Sequence, residues 1–124
     1  MSNGIKQFNK QSYLNLETFR KSGVGVKTPV WFVQDGDSLW VLTGKESGKV
    51  KRIHNNPNVR IVPSGARGEP KGEWVDARAS LATQDAFEQV ERLLKRKYGL
   101  QKTFFDMFGR MSKAESAILK LELV

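Results

Sequence analysis

The chain has 124 residues, 39% hydrophobic and 27% charged, with no cysteine, one histidine and a formal net charge of +8. The missing cysteines exclude a disulfide framework, a cysteine nucleophile and thiolate metal sites, and the single histidine argues against a multi-histidine centre, so no metal is expected. The positive excess favours a polyanionic partner, whether nucleic acid, an acidic membrane face or a multiply charged cofactor.

The elements read as follows in chain order. Residues 13–20 (YLNLETFR) alternate, with Leu14, Leu16 and Thr18 against Tyr13, Asn15, Glu17 and Phe19, which predicts a strand. After the turn KSGVG, residues 26–34 are rich in β-branched and aromatic side chains and read as one strand, with Pro29 at an edge or bulge. Asp35-Gly36-Asp37-Ser38 is a hairpin turn. Leu39 to Thr43 returns, with Leu39 and Val41 on one face and Trp40 and Leu42 on the other. A short basic helix is expected from Ser47 to Asn55, closed by Asn56-Pro57.

Asn58 to Pro63 is the next strand, a glycine-rich link follows, and Trp74 to Leu81 alternates again. Asp85 and Glu88 have the spacing of a capping box. Phe87, Val90, Leu93, Leu94 and Tyr98 mark an amphipathic helix. A second short helix is expected over Thr103 to Phe108, and Ile118 to Val124 reads as the last strand. The pattern predicts a mainly β (α+β) domain spanning 1–124. Its fold would be a small antiparallel barrel with a short basic helix after the third strand and two helices before the last. No apolar run approaches the ~20 residues that span a bilayer. The segment MSNGIKQFNK lacks the apolar core of a signal peptide, so a cytoplasmic location is expected.

The stretch VLTGKESGKVKRIHNNP (41–57) carries the most chemical information. Seven Lys or Arg and two Glu fall between Lys45 and Lys71. A helix start capped by Ser47, with unpaired N–H groups and Lys49 close by, suits a phosphate. Lys51 and Arg52 lie further along; at roughly 100° per residue they cannot all face one ligand. One would reach the phosphate or an anionic tail. Thr43, closing the preceding strand, is a further candidate. His54 reads as structural. Trp31, Phe32, Trp40 and Trp74 read as core or dimer contacts. No nucleophile–base pair is visible, and no catalytic side chain can be named. Residues 44–73 contain no Phe, Trp or Tyr, which argues against base stacking and hence against nucleic acid.

Four stretches, TPVWF (28–32), SGKVKRIHNNP (47–57), ARG-x-P-x-G-x-WV (66–75) and RKYGLQ (96–101), resemble the deazaflavin-dependent branch of the pyridoxamine 5′-phosphate oxidase-like superfamily. These are flavin-binding split β-barrels of the PPOX class of F420-dependent oxidoreductases. The resemblance covers residues 13–124. It implies a homodimer with two cofactor grooves at its interface. It also implies that Thr28, Pro29 and Val30 lie along the cofactor ring, and that Ser47 and Lys49 hold the phosphate. Arg60, Arg67 and Lys71 become candidates for the carboxylates of a polyglutamate tail. FMN-using oxidases of the superfamily often carry Ser-Arg-Lys where this chain has Ser47-Gly48-Lys49; that departure leaves room for F420. The expected function is hydride transfer from F420 to a small-molecule acceptor. Alternatives are an FMN-dependent oxidoreductase on the same fold, a cofactor carrier without turnover, and a basic nucleic-acid-binding barrel.

Overall fold

The computed structural model describes residues 2–99 and 113–124. The expected helix at 103–108 lies outside them. Three helices are described, α1 (Ser2–Lys6), α2 (Gly48–Asn55) and α3 (Phe87–Tyr98). Seven strands are described as well: β1 (Tyr13–Phe19), β2 (Gly25–Trp31), β3 (Val33–Asp35), β4 (Ser38–Gly44), β5 (Asn58–Ser64), β6 (Val75–Ala82) and β7 (Ser116–Leu123).

All strand pairs are antiparallel, in the order β2-β1-β5-β6-β7-β4-β3. Residues 26–34 are not the single strand expected from the sequence. The run breaks at Phe32, so that β2 pairs with β1 while β3 pairs with β4 at the opposite end of the sheet. A single residue thus joins the two ends of the strand order. The sheet must curl until they meet, which makes it a split barrel. Neither half of the run has a ladder partner for Phe32. Its buried N–H and C=O are instead served by α3: Phe32 N–H donates to Tyr98 Oη at 3.3 Å, and Lys97 Nζ donates to the Phe32 carbonyl at 2.8 Å.

The barrel interior is filled by inward residues of alternating strands, including Leu14, Leu16, Leu39, Val41, Ile61, Leu119 and Leu121, all fully buried. Phe8 and Phe32 meet edge to face at 6.0 Å. A second apolar layer lies outside the barrel, where Phe87, Val90, Leu94 and Tyr98 of α3 cover Trp31, Leu42 and Ile118. Trp31 and Tyr98 stack at 4.3 Å. The expected division of β4 into a Leu39/Val41 face and a Trp40/Leu42 face is the division between these two layers.

One element goes unread in the sequence and one local expectation differs. α1 has no periodicity visible in the sequence; it is held by burial of Ile5 and of Phe8 just beyond it. The Asp85–Glu88 capping box does not form. Asp85 sits in a 3-10 turn (Gln84–Ala86), and α3 begins behind Ala86 with no side-chain cap.

Candidate functional site

Four strand ends gather at one mouth of the barrel: β1 and β4 finish there, and β2 and β5 begin there. α2 crosses this mouth from β4 to β5, with Ile53 buried in the interior cluster and Val50 packed against it. Along β1 and β4 the inward parity ends in threonines, and on β2 Thr28 holds the inward position between Val30 and Val26. Thr18 is fully buried, Thr43 nearly so and Thr28 half-buried. Sequence reasoning selected Thr28 and Thr43 but missed Thr18. Its signal was a hydroxyl residue at the position where the Leu14, Leu16 alternation calls for another apolar side chain. Among the described residues β2 pairs only with β1, so part of its backbone faces the seam towards β4.

α2 starts as its sequence requires. Ser47 is the N-cap, in extended geometry, and its Oγ accepts the Val50 N–H at 3.4 Å. The hydroxyl proton remains available to a ligand oxygen. The N–H groups of Gly48 and Lys49 precede the helix's own hydrogen bonds and point out of its first turn. Lys49 and Arg52, three residues apart, share the side of α2 that carries Val50 and Ile53. Lys51 and His54 lie on the exposed side. The structure therefore brings Ser47, Lys49 and Arg52 together and leaves Lys51 apart.

Arg52 Nε donates to Thr18 Oγ1 at 2.6 Å, tying the helix to the end of β1. Among the described residues, neither Lys49 nor Arg52 has a carboxylate within ion-pair reach. Burial, and then the neighbouring Arg52 charge, hold the Lys49 amine below the usual lysine range. Two cations sharing a half-buried corner with helix N–H donors are a fit for a phosphate, since an anion there relieves both effects.

This has a pH consequence. Only the protonated amine attracts an anion, so the Lys49 contribution is present at neutral pH and is lost as pH rises through its lowered pKa. A phosphate ligand is expected to weaken at alkaline pH before an ordinary lysine would titrate. Lys49→Arg, which stays charged, should flatten that decline. Dissociation constants measured from pH 7 to 10 in both proteins check this; parallel curves would contradict it.

Thr28 pairs with Leu16, Pro29 with Asn15 and Val30 with Leu14. Val30 packs inward, whereas Pro29 lies outward beneath the link between β5 and β6. That link is docked by Asn15 Nδ2, which donates to the Gly68 carbonyl at 2.9 Å. Gly68 has φ 87°, and a Cβ there would lie 2.9 Å from Asn15 Nδ2, so both conformation and space call for glycine. Arg67 and Lys71 are exposed on this link. Arg60 is engaged elsewhere: it pairs with Glu17 at 3.5 Å and with Asp76 at 4.0 Å, and lies over the Trp74 ring. A separate cleft of about 390 Å³, lined by residues that include Gln7, Glu73, Val75, Asp76 and Leu123, presents carboxylates rather than cations. It does not suit an anion.

No helix among the described residues is long and apolar enough to cross a membrane. None of their His, Asp and Glu side chains forms a group that could hold a metal ion.

Solved structures share the fold at low identity. An F420 reductase is 19% identical with a TM-score of 0.65, the match covering 96% of this chain and 91% of that one. The haem-storage protein HutZ of Vibrio cholerae is 18% identical, TM-score 0.68, with 96% and 86% covered. General stress protein 26 of Bacillus anthracis is 20% identical, TM-score 0.69, with 98% and 87% covered. Comparison with curated protein sequences finds no match. The family model for pyridoxamine 5′-phosphate oxidase matches residues 2–123. With nearly the whole sequence matched and a seven-stranded split barrel beneath it, the chain belongs to the pyridoxamine 5′-phosphate oxidase family of flavin-binding split barrels.

Proposed function

We propose that the chain is an oxidoreductase that binds F420 at the α2 mouth and passes a hydride to a small-molecule acceptor. The observation that carries this reading is the convergence of Ser47, Lys49 and Arg52 on the first turn of α2 with no carboxylate partner among the described residues. The bound deazaflavin would supply hydride transfer, chemistry that the side chains of this chain do not provide.

The protein's own part is binding and orientation. Ser47, the first-turn N–H groups and Lys49 hold the phosphate. Thr28, Pro29 and Val30 give the ring a stiff strand, with the seam-facing backbone of β2 as its hydrogen-bonding edge. Thr43 closes the groove from β4, and Lys51, Arg67 and Lys71 are exposed cations for an acidic tail. Fixing the ring against the barrel leaves its other face to the acceptor, so proximity supplies most of the acceleration. By family analogy two copies form a homodimer with a groove at each end of the interface.

FMN is the second reading, and the Arg52 guanidinium beside Gly48 favours it, because the glycine does not leave the helix start without an arginine. Parallel fluorescence titrations with F420 and FMN separate the two. Micromolar F420 binding with negligible FMN binding supports the proposal, the reverse establishes FMN, and saturation by neither overturns both.

A further inference from the structure

We infer that Thr18 is a positioning residue: it holds the Arg52 guanidinium over Gly48, so that Arg52 delivers from one turn later the guanidinium that a Ser-Arg-Lys sequence would place at residue 48. The inference rests on the phosphate site proposed above and identifies what aims one of its groups.

Three observations carry it. First, Arg52 folds back along α2 towards the helix start, the direction in which helical side chains lean. A Cβ added to Gly48 would lie 2.7 Å from Arg52 Nη1, so the space an ordinary side chain would fill there is taken by the guanidinium. Second, the head is fixed by a short bond at 2.6 Å from Nε to Oγ1 of Thr18, which is 0% exposed. With Nε engaged, the two Nη groups keep the fork that matches two oxygens of a phosphate. Third, Thr18 pairs with Val26, two residues from Thr28. The guanidinium is thus anchored on the strand next to β2, roughly 7 Å along it from the level of Thr28.

Sequence separation hides the link, because Thr18 and Arg52 are 34 residues apart. The ligand chemistry is a phosphate ester on the ribityl chain of a flavin-type ring. FMN carries it as a monoester and F420 as a diester.

A purely structural tie between α2 and β1 would affect folding without discriminating phosphorylated from unphosphorylated ligand. The test is therefore a ratio. Affinities are measured for FMN against riboflavin, and for F420 against its ring–ribityl fragment without the phosphate. The proteins are wild type, Thr18→Val, Thr18→Ser, Gly48→Ala and Arg52→Met, each checked by thermal melting. Arg52→Met should weaken the phosphorylated ligand by about 10- to 100-fold, the loss of a charged hydrogen bond, and leave the unphosphorylated one within about twofold. Thr18→Val should lose part of the same preference and Thr18→Ser should restore it. Gly48→Ala keeps the fold, because only the flexible end of Arg52 must move, and should also lose preference. The pair in which the effect appears identifies the ester.

If Thr18→Val keeps the wild-type preference while Arg52→Met loses it, or if Arg52→Met and Gly48→Ala keep that preference or weaken both members of a pair alike, the positioning role is overturned while the cofactor reading stands. If wild type binds neither FMN nor F420, the cofactor reading is overturned and this inference with it.

Discussion

Tyr98→Ala is expected to destabilise the fold by about 4 kcal/mol, the range for deleting a buried aromatic side chain, and Tyr98→Phe by about 1–3 kcal/mol for the hydroxyl alone. Tyr98 is 1% exposed and stacks on Trp31. Its hydroxyl lies 2.7 Å from the Ser12 carbonyl and 2.8 Å from the Phe32 carbonyl, and it accepts the Phe32 N–H at 3.3 Å. A phenol has one proton to give. Lys97 resolves the count: its amine donates to the Phe32 carbonyl at 2.8 Å, leaving the tyrosine proton for Ser12.

Burial pushes the Tyr98 phenol above its ordinary range and brings the Lys97 amine down to about 8, so neither group loses its role near neutrality. Phe32 is the one residue that joins β2 to β3, so unpaired groups there loosen the closure of the barrel as well as the core. Urea midpoints followed by far-UV circular dichroism check the prediction. A Tyr98→Phe protein within about 0.5 kcal/mol of wild type, the scatter of an ordinary surface change, would mean that the Phe32 backbone is satisfied by other groups.

What the sequence made legible was local. Ser47 caps α2 because a serine in extended geometry ahead of a helix needs only its next three residues to be recognised. The two faces of β4 follow from a period of two. The break at Phe32 was hidden because the run from Val26 to Gln34 is rich in strand residues and its one breaker, Pro29, does not mark the break. Only the choice of partner, β1 for one half and β4 for the other, divides the run, and that choice is made across the sheet.

Asp85 shows the reverse error. Its spacing to Glu88 satisfied a local rule, but Gln84–Ala86 turn as a 3-10 segment and place the aspartate before the helix proper. At the candidate site, Ser47 and Lys49 were readable from the helix start alone. The separation of Lys51 from Arg52 needed only the helical period once Ile53 was known to be the buried residue. Thr18 needed the barrel to close.

Lys49→Ala is expected to move affinity and stability in opposite directions. The amine sits in a half-buried corner beside Arg52, and both burial and that neighbouring charge disfavour its protonated form. In the free protein the charge is therefore a cost, and removing it should leave the melting temperature unchanged or raised, as at functional sites whose groups are arranged for a ligand rather than for the fold. With a phosphate bound the balance inverts: the same confinement that disfavours an unpaired ammonium strengthens its attraction to an anion. Loss of that charged hydrogen bond should weaken whichever of F420 or FMN binds by about 1–3 kcal/mol. Lys51→Ala, on the exposed side of α2, should change affinity for FMN far less. Melting curves without ligand and titrations with each cofactor separate these contributions. A Lys49→Ala protein that melts lower and binds as tightly as wild type would make Lys49 a structural residue and remove the phosphate from the α2 mouth.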